Sequence, residues 1–196
     1  MDFFGHGESD GPFESLTLTH CIEQVTGLIA WLERRGYSKI GLIGSSFGGY
    51  VAAHIASRYP RLFVLGLKCP VSDYPAIWRN RMGEGGMSHW KGIGQISFAS
   101  QTGQERLGYQ FYDDMLAYDT YSAAGHIQAP TLVIHGDADE DVPVDQSRKL
   151  FSSMTVVKKE MEILSGADHD FSKPADFDKM IHLLSEWTIQ QVRKTT

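Results

Sequence analysis

Cysteine is nearly missing from the chain, which holds only Cys21 and Cys69 in 196 residues. Two cysteines make no disulfide framework and lack metal-ligand spacing, so both read as small buried apolar residues. Runs of Lys or Arg are absent as well, and the net charge is -6. That balance excludes nucleic acid and anionic membranes as partners, because both require a basic face that displaces counterions. No apolar run is long enough to span a bilayer, and residues 1–5 carry neither the charged nor the apolar part of a signal peptide, so the expected location is cytoplasmic. What remains is a chain of one domain's length, able to bury a substantial core and suited to a small-molecule substrate.

The residues that are present alternate between strand and helix patterns. Residues 2–12 hold three glycines and a proline and read as loop. From Thr19 to Arg35, Ile22, Val25, Leu28, Ile29 and Leu32 recur at spacings of three and four, predicting one buried helical stripe that Gly36 ends. The apolar run from Lys39 predicts a strand. Val51, Ala52, Ile55 and Ala56 mark the next helix, and Leu62 to Cys69 is the near-continuous apolar run of a strand covered on both faces.

Alternation lapses between residues 71 and 125, a stretch rich in Trp78, Trp90, Phe98, Tyr109, Phe111, Tyr112, Met115 and Tyr118. It is too long for a loop and is expected to be an inserted lid subdomain whose aromatics line a hydrophobic pocket or simply pack the insertion in place. Within it, Met82 to Met87 is expected to be mobile and Glu105 to Leu116 helical. Strand and helix resume with Pro130 to His135, Val144 to Met154, a strand within Val156 to Leu164, and a last helix from Ala175 to about Val192. Ile181, Leu184, Trp187 and Ile189 are expected on the buried side of that helix. The sum is a single α/β domain over 1–196, with a doubly wound, mostly parallel sheet and a lid at 71–125.

Chemistry concentrates at Gly44-Ser45-Ser46-Phe47-Gly48, where the apolar strand run stops and a helical pattern begins. A serine lifted off a sheet at a sharp strand-to-helix turn needs small residues two positions to either side, and Gly44 and Gly48 supply them. A serine hydroxyl is a poor nucleophile at neutral pH, so it requires a neutral imidazole and a carboxylate that fixes the imidazole's tautomer. Of eight histidines, His135 lies inside a strand run, His20, His54 and His182 fall in helices, and His89 and His126 lie in or beside the insertion. His6 sits in a glycine turn that it is expected to fix. His169 alone lies in a loop after a late strand and is the expected base. Asp139, in Gly136-x-x-Asp ahead of Val142-Pro143, is the expected acid. Asp137 and Asp141 read as loop-capping or solvated. These three aspartates mimic a calcium loop, but Val142 stands at the glycine position and Arg148 at the closing glutamate position, so no metal is expected.

The wording of four stretches resembles the α/β-hydrolase family, and within it the lidded esterases of the cinnamoyl-esterase and monoacylglycerol-lipase type. They are Asp2-Phe-Phe-Gly-His-Gly-Glu-Ser-Asp-Gly11, Gly44-Ser-Ser-Phe-Gly-Gly49, His135-Gly-Asp-Ala-Asp-Glu-Asp-Val-Pro-Val144 and Gly166-Ala-Asp-His-Asp-Phe171. The resemblance implies hydrolysis of carboxylic esters of small or medium acyl groups through an acyl-enzyme on Ser46, without a cofactor. It also implies that the Phe47 N–H is one donor of the oxyanion hole. Family members carry several strands before the Asp-x-x-Gly-His-Gly stretch, including the loop that supplies the second donor, whereas here that stretch starts at residue 2. The expectation is therefore a shortened, weakened esterase with an exposed sheet edge beside the Ser46 strand, open to homo-oligomer formation. A serine peptidase or acyltransferase of the same fold and a non-catalytic binding protein are the alternatives.

Overall fold

A computed structural model describes the backbone of residues 1–100 and 103–194 and the side chains of 1–97 and 105–194; Phe98, named above, falls outside the described side chains. In chain order the elements are α1 (Leu18–Arg34), β1 (Gly41–Ser45), α2 (Phe47–Arg58), β2 (Val64–Lys68) and α3 (Tyr74–Ile93). A hairpin of β3 (Gln95–Ser100) and β4 (Gly103–Gly108) follows, then α4 (Gln110–Met115), α5 (Thr120–Ala124), β5 (Thr131–Gly136), α6 (Val144–Ser153), β6 (Lys159–Leu164) and α7 (Pro174–Arg193). The chain divides into two compact units, one of Met1–Leu32 with Asp73–Asp119 and the other of Glu33–Ser72 with Thr120–Thr196.

The second unit is built on a parallel four-stranded sheet ordered β1-β2-β5-β6. The two inner strands, β2 and β5, are short and largely apolar because both their faces are covered, and all six residues of β5 are buried, whereas in β6 only the last residue, Leu164, is buried. Adjacent strand residues point to opposite faces. Ile134 of β5 joins the cluster that Met180, Leu184 and Trp187 of α7 form with Val64, Leu132 and Leu164. Its neighbour His135 pairs with Ser147 of α6 instead. Helices α6 and α7 therefore lie on opposite faces, which is the doubly wound arrangement expected. The buried positions of α7 are Met180, Leu184, Trp187 and Gln191, whereas Ile181 and Ile189 are exposed. Periodicity located that helix and placed Leu184 and Trp187 on its inner face, where Met180 and Gln191 stand in place of Ile181 and Ile189.

Strand β1 is the outer strand of this sheet. Ile40 C=O and Ser46 N–H reach toward β2, accepting from Phe63 N–H at 2.7 Å and donating to Lys68 C=O at 2.9 Å. In a parallel strand alternate residues share a direction, so Gly41, Ile43 and Ser45 turn their N–H and C=O groups to the open edge. Among the described residues no strand pairs there. Ile43 is 64% exposed.

The first unit carries its own packing. The N-terminal turn is tied by Ser9 Oγ donating to Asp2 C=O at 2.9 Å, and His6 Nδ1 lies 3.2 Å from Phe4 C=O, the turn-fixing role expected of it. Thr17 caps α1 by accepting from His20 N–H. The helix buries Leu18, Cys21, Ile22, Val25 and Ile29, while Leu28 is exposed. Thr19 Oγ1 donates to Asp114 Oδ1 at 2.6 Å, tying α1 to α4. Trp90 is fully buried, with ring contacts to Trp78, Tyr109 and Tyr112 and an Nε1–H bond to Leu107 C=O at 3.2 Å. These aromatics pack on one another.

Two local expectations fail in this unit. Glu105 to Leu116 is helical only from Gln110, because residues 103–108 pair antiparallel with 95–100, and cross-strand pairing overrides the helical propensity of Gln104, Glu105 and Arg106. Met82 to Met87 lies inside α3 rather than in a mobile stretch. Asp73 Oδ1 caps that helix by accepting from Ala76 N–H at 2.9 Å, and the glycine run appears only as a kink at Gly83, whose φ is 63°.

Candidate active site

Ser46 lies between the last residue of β1 and the first of α2 with φ 51° and ψ -118°, a conformation a non-glycine residue adopts only when its surroundings impose it. Those surroundings are backbone bonds on both sides. Ser46 N–H donates to Lys68 C=O at 2.9 Å, and Ser46 C=O accepts from Gly49, Tyr50 and Val71 N–H at 3.0, 3.2 and 3.1 Å. A Cβ on Gly44 would lie 2.8 Å from the Gly48 carbonyl carbon and from Gly49 Cα, so only glycine fits there. The partner glycine differs from expectation. A Cβ on Gly48 would meet nothing within 4 Å, whereas one on Gly49 would lie 2.8 Å from Pro70 Cβ. Close approach of the turn to Pro70 is what demands a glycine after the serine.

Because the strands are parallel, the segments after β1, β5 and β6 leave the same edge of the sheet, and these carry Ser46, Asp139 and His169. The acid and histidine loops touch directly. Ala138 N–H donates to Ala167 C=O and Asp137 N–H to Leu164 C=O, both at 3.1 Å. Asp137 Oδ1 accepts from Gly166 N–H at 2.5 Å, the loop-capping role foreseen for it. A Cβ on Gly136 would lie 2.7 Å from the Ala167 carbonyl carbon, so glycine at the end of β5 permits this approach. On the far side of the histidine, Asp168 Oδ1 accepts from Ser172 N–H at 2.8 Å, and Lys173 Nζ donates to Gly166 C=O at 2.9 Å.

Within this frame His169 Nδ1 lies 2.7 Å from Asp139 Oδ2. The carboxylate has no exposed atom and is enclosed by donors. Its Oδ1 accepts from Asp141 N–H at 2.9 Å and Val142 N–H at 2.8 Å. Its Oδ2 also faces His135 Nε2 at 3.1 Å, a neighbour that the sequence reading left in its strand. Burial pushes the Asp139 carboxyl up, but the hydrogen bonds from His135, His169 and Val142 outweigh it and hold the group well below the usual carboxylate range. Among the described residues no hydrogen bond joins Ser46 Oγ to His169.

The depressed carboxyl makes a prediction about acid. A group whose pKa falls on folding contributes stability that is complete above its unfolded value and is lost as pH drops toward the folded one. Wild-type protein is expected to lose urea resistance progressively below about pH 5 as unfolded-state aspartates begin to take up protons near pH 3.9. Asp139→Asn, already weaker at neutral pH, is expected to show a shallower decline in that window. Parallel slopes in denaturant midpoints would contradict this.

Two sets of metal-binding side chains converge here, Cys69 with His135 and Asp139, and Asp139 with Asp141 and His169, each with donor atoms within 4.8 Å of one another. Both Asp139 oxygens and both His135 nitrogens already have hydrogen-bonding partners, and burial pushes the Cys69 thiol up to about 12, far from the thiolate a metal requires. The arrangement suits a buried hydrogen-bonded acid.

Solved structures share this fold. A monoacylglycerol lipase from Paleococcus ferrophilus superposes with a TM-score of 0.78 at 21% identity, over 97% of this chain and 82% of that one. Est1E from Butyrivibrio proteoclasticus, solved with ferulic acid, gives 0.80 at 19% identity over 98% and 76%. Mouse alpha/beta hydrolase domain-containing protein 10 gives 0.81 at 22% identity over 100% and 77%. The mostly parallel sheet with flanking helices is thus the α/β-hydrolase fold. In sequence, the "uncharacterized peptidase YuxL" of Bacillus subtilis is 24% identical over 171 residues, covering 79% of this chain and 22% of that protein, so the chain spans about a fifth of that relative's length. Residues 16–195 match the prolyl oligopeptidase family, and with nearly the whole chain covered, the protein belongs to that family.

Proposed function

We propose that the chain is a serine hydrolase that cleaves carboxylic esters of small or medium acyl groups through an acyl-enzyme on Ser46. The observation carrying this reading is the 2.7 Å bond from His169 Nδ1 to a fully buried Asp139, at the same sheet edge as a strained serine. An imidazole that donates its Nδ1–H to a carboxylate keeps Nε2 free to accept a proton. In the proposed reaction Ser46 Oγ attacks the ester carbonyl while His169 Nε2 takes the hydroxyl proton. Collapse of the tetrahedral intermediate expels the alcohol, which receives that proton, and water then repeats the sequence in reverse to release the acid. The Ser46 to His169 bond is expected to form on substrate binding, since catalytic hydrogen bonds are often long in unliganded sites. Phe47 N–H, opening α2, is the proposed oxyanion donor at the positive end of the helix dipole. The 71–125 insertion is proposed as the lid.

Family membership favours a second reading, hydrolysis of peptide bonds by the same side chains. The two are separated by assaying p-nitrophenyl acetate and butyrate against short peptidyl p-nitroanilides, with a fluorophosphonate probe to count activated serines. Ester turnover with stoichiometric labelling of Ser46 supports the ester reading. Faster anilide turnover moves the substrate class to peptides, and failure to label removes the enzyme reading altogether.

We also propose that the open edge of β1 pairs with a second copy of the chain. Sedimentation is expected to show concentration-dependent association that Ile43→Lys suppresses, because charge on an edge strand opposes pairing. A wild type that stays monomeric at every concentration would refute it.

A further inference from the structure

We propose that His135 is a positioning residue whose Nε2–H shares the Asp139 carboxylate with His169 and moderates the pull of that carboxylate on the base. The inference rests on the Asp139–His169 pair assigned above and adds a second imidazole to the same oxygen. The geometry determines the His135 tautomer. Nε2 faces two acceptors, Val142 C=O at 3.0 Å and Asp139 Oδ2 at 3.1 Å, so it must carry the hydrogen. Nδ1 faces Ser147 Oγ at 2.6 Å, and a hydroxyl is able to donate to it. The ring is fully buried and held from β5, α6 and the acid loop at once.

A carboxylate 2.7 Å from an imidazole favours the protonated ring. A base that is to accept the Ser46 proton must instead be neutral. Every donor that stabilises charge on Asp139 reduces the share available to His169, and His135 Nε2, which bonds Val142 C=O at 3.0 Å, also lies 3.1 Å from Oδ2, the oxygen that His169 uses. The backbone donors from Asp141 and Val142 go to Oδ1 and set the plane of the carboxyl group. His135 is thus the side chain best placed to adjust how strongly the acid acts on the base. Other titratable groups nearby are Cys69 at the end of β2, neutral because burial pushes its thiol up to about 12, and Asp141 in the acid loop. Lys68, whose ammonium lies 5.4 Å from the Phe171 ring centre, and Asp168 and Asp170, the sequence neighbours of His169, are further charged groups of these segments.

The test has two arms. In wild type, long-range proton–nitrogen NMR is expected to find His135 protonated at Nε2 and bare at Nδ1. A His135 protonated at Nδ1 would overturn the proposal without any variant. In the second arm the His169 imidazole titration is compared among wild type, His135→Phe and His135→Gln. Loss of the donor in His135→Phe is expected to move the midpoint upward by about half to one pH unit, and the acid limb of the kcat/KM profile with it. Gln, whose amide N–H reaches toward the position of Nε2, is expected to restore most of the wild-type midpoint. Midpoints equal in all three proteins, or a downward move in His135→Phe, would leave His135 a packing residue and overturn the proposal. If His135→Phe fails to fold, the tautomer arm decides. Both NMR readouts are independent of turnover, so a wild type that never labels at Ser46 defeats the proposed hydrolase while the coupling between the two imidazoles is still measured.

Discussion

Ser46→Ala is expected to lower kcat on a p-nitrophenyl ester by on the order of 10⁵ and to end fluorophosphonate labelling. The serine is the only proposed atom that becomes bonded to substrate, so removing Oγ leaves the imidazole without a nucleophile to activate. Alanine fits, since it is smaller than serine and the turn is held by backbone bonds to Lys68, Gly49, Tyr50 and Val71 that do not involve the side chain. Loss of activity with an unchanged melting temperature is the expected pair of results. A variant retaining more than a tenth of the wild-type rate would transfer the chemistry to another residue.

Asp139→Asn carries the second large effect, a fall in kcat of about 10⁴ with the fold retained. The two backbone N–H groups at Asp141 and Val142 would capture the amide oxygen in place of Oδ1, directing the NH₂ toward His169 and His135. His169 Nδ1 must then accept rather than donate, which places its proton on Nε2 and leaves no lone pair for the Ser46 hydroxyl. His135 Nε2–H would face the same NH₂, so a modest loss of stability is expected as well. Activity of Asp139→Asn is expected to stay low as pH rises, because the wrong tautomer is not repaired by deprotonation. Recovery to near wild-type rate at high pH would show that Asp139 acts by charge alone.

The site was legible in the sequence where local rules apply. A serine between a strand pattern and a helix pattern has few conformations open to it, and the positions of Ser46, Asp139 and His169 just after β1, β5 and β6 place them on one edge once the sheet is parallel. His135 was passed over because periodicity placed it in a strand, which is correct. Its polar contacts, to Ser147 and into the acid loop, depend on a face-to-face meeting that no local pattern encodes. An imidazole closing the apolar run Leu132-Val-Ile134 was the available signal. The requirement for glycine at 49 rather than 48 likewise arises from contact with Pro70, distant in sequence. In the other unit, Glu105 and Arg106 read as helix because pairing with residues 95–100 lies outside any short window.

The bonds from Asp137 and Ala138 to Leu164 and Ala167 make the segments after β5 and β6 a single stitched piece, with the Asp139 carboxylate and His169 imidazole mounted on it as a preassembled pair. The serine is borne by a different strand. Under the proposed mechanism, variation around that strand would reshape what is attacked without retuning the pair that removes the proton, a favourable starting point for altering selectivity by directed evolution.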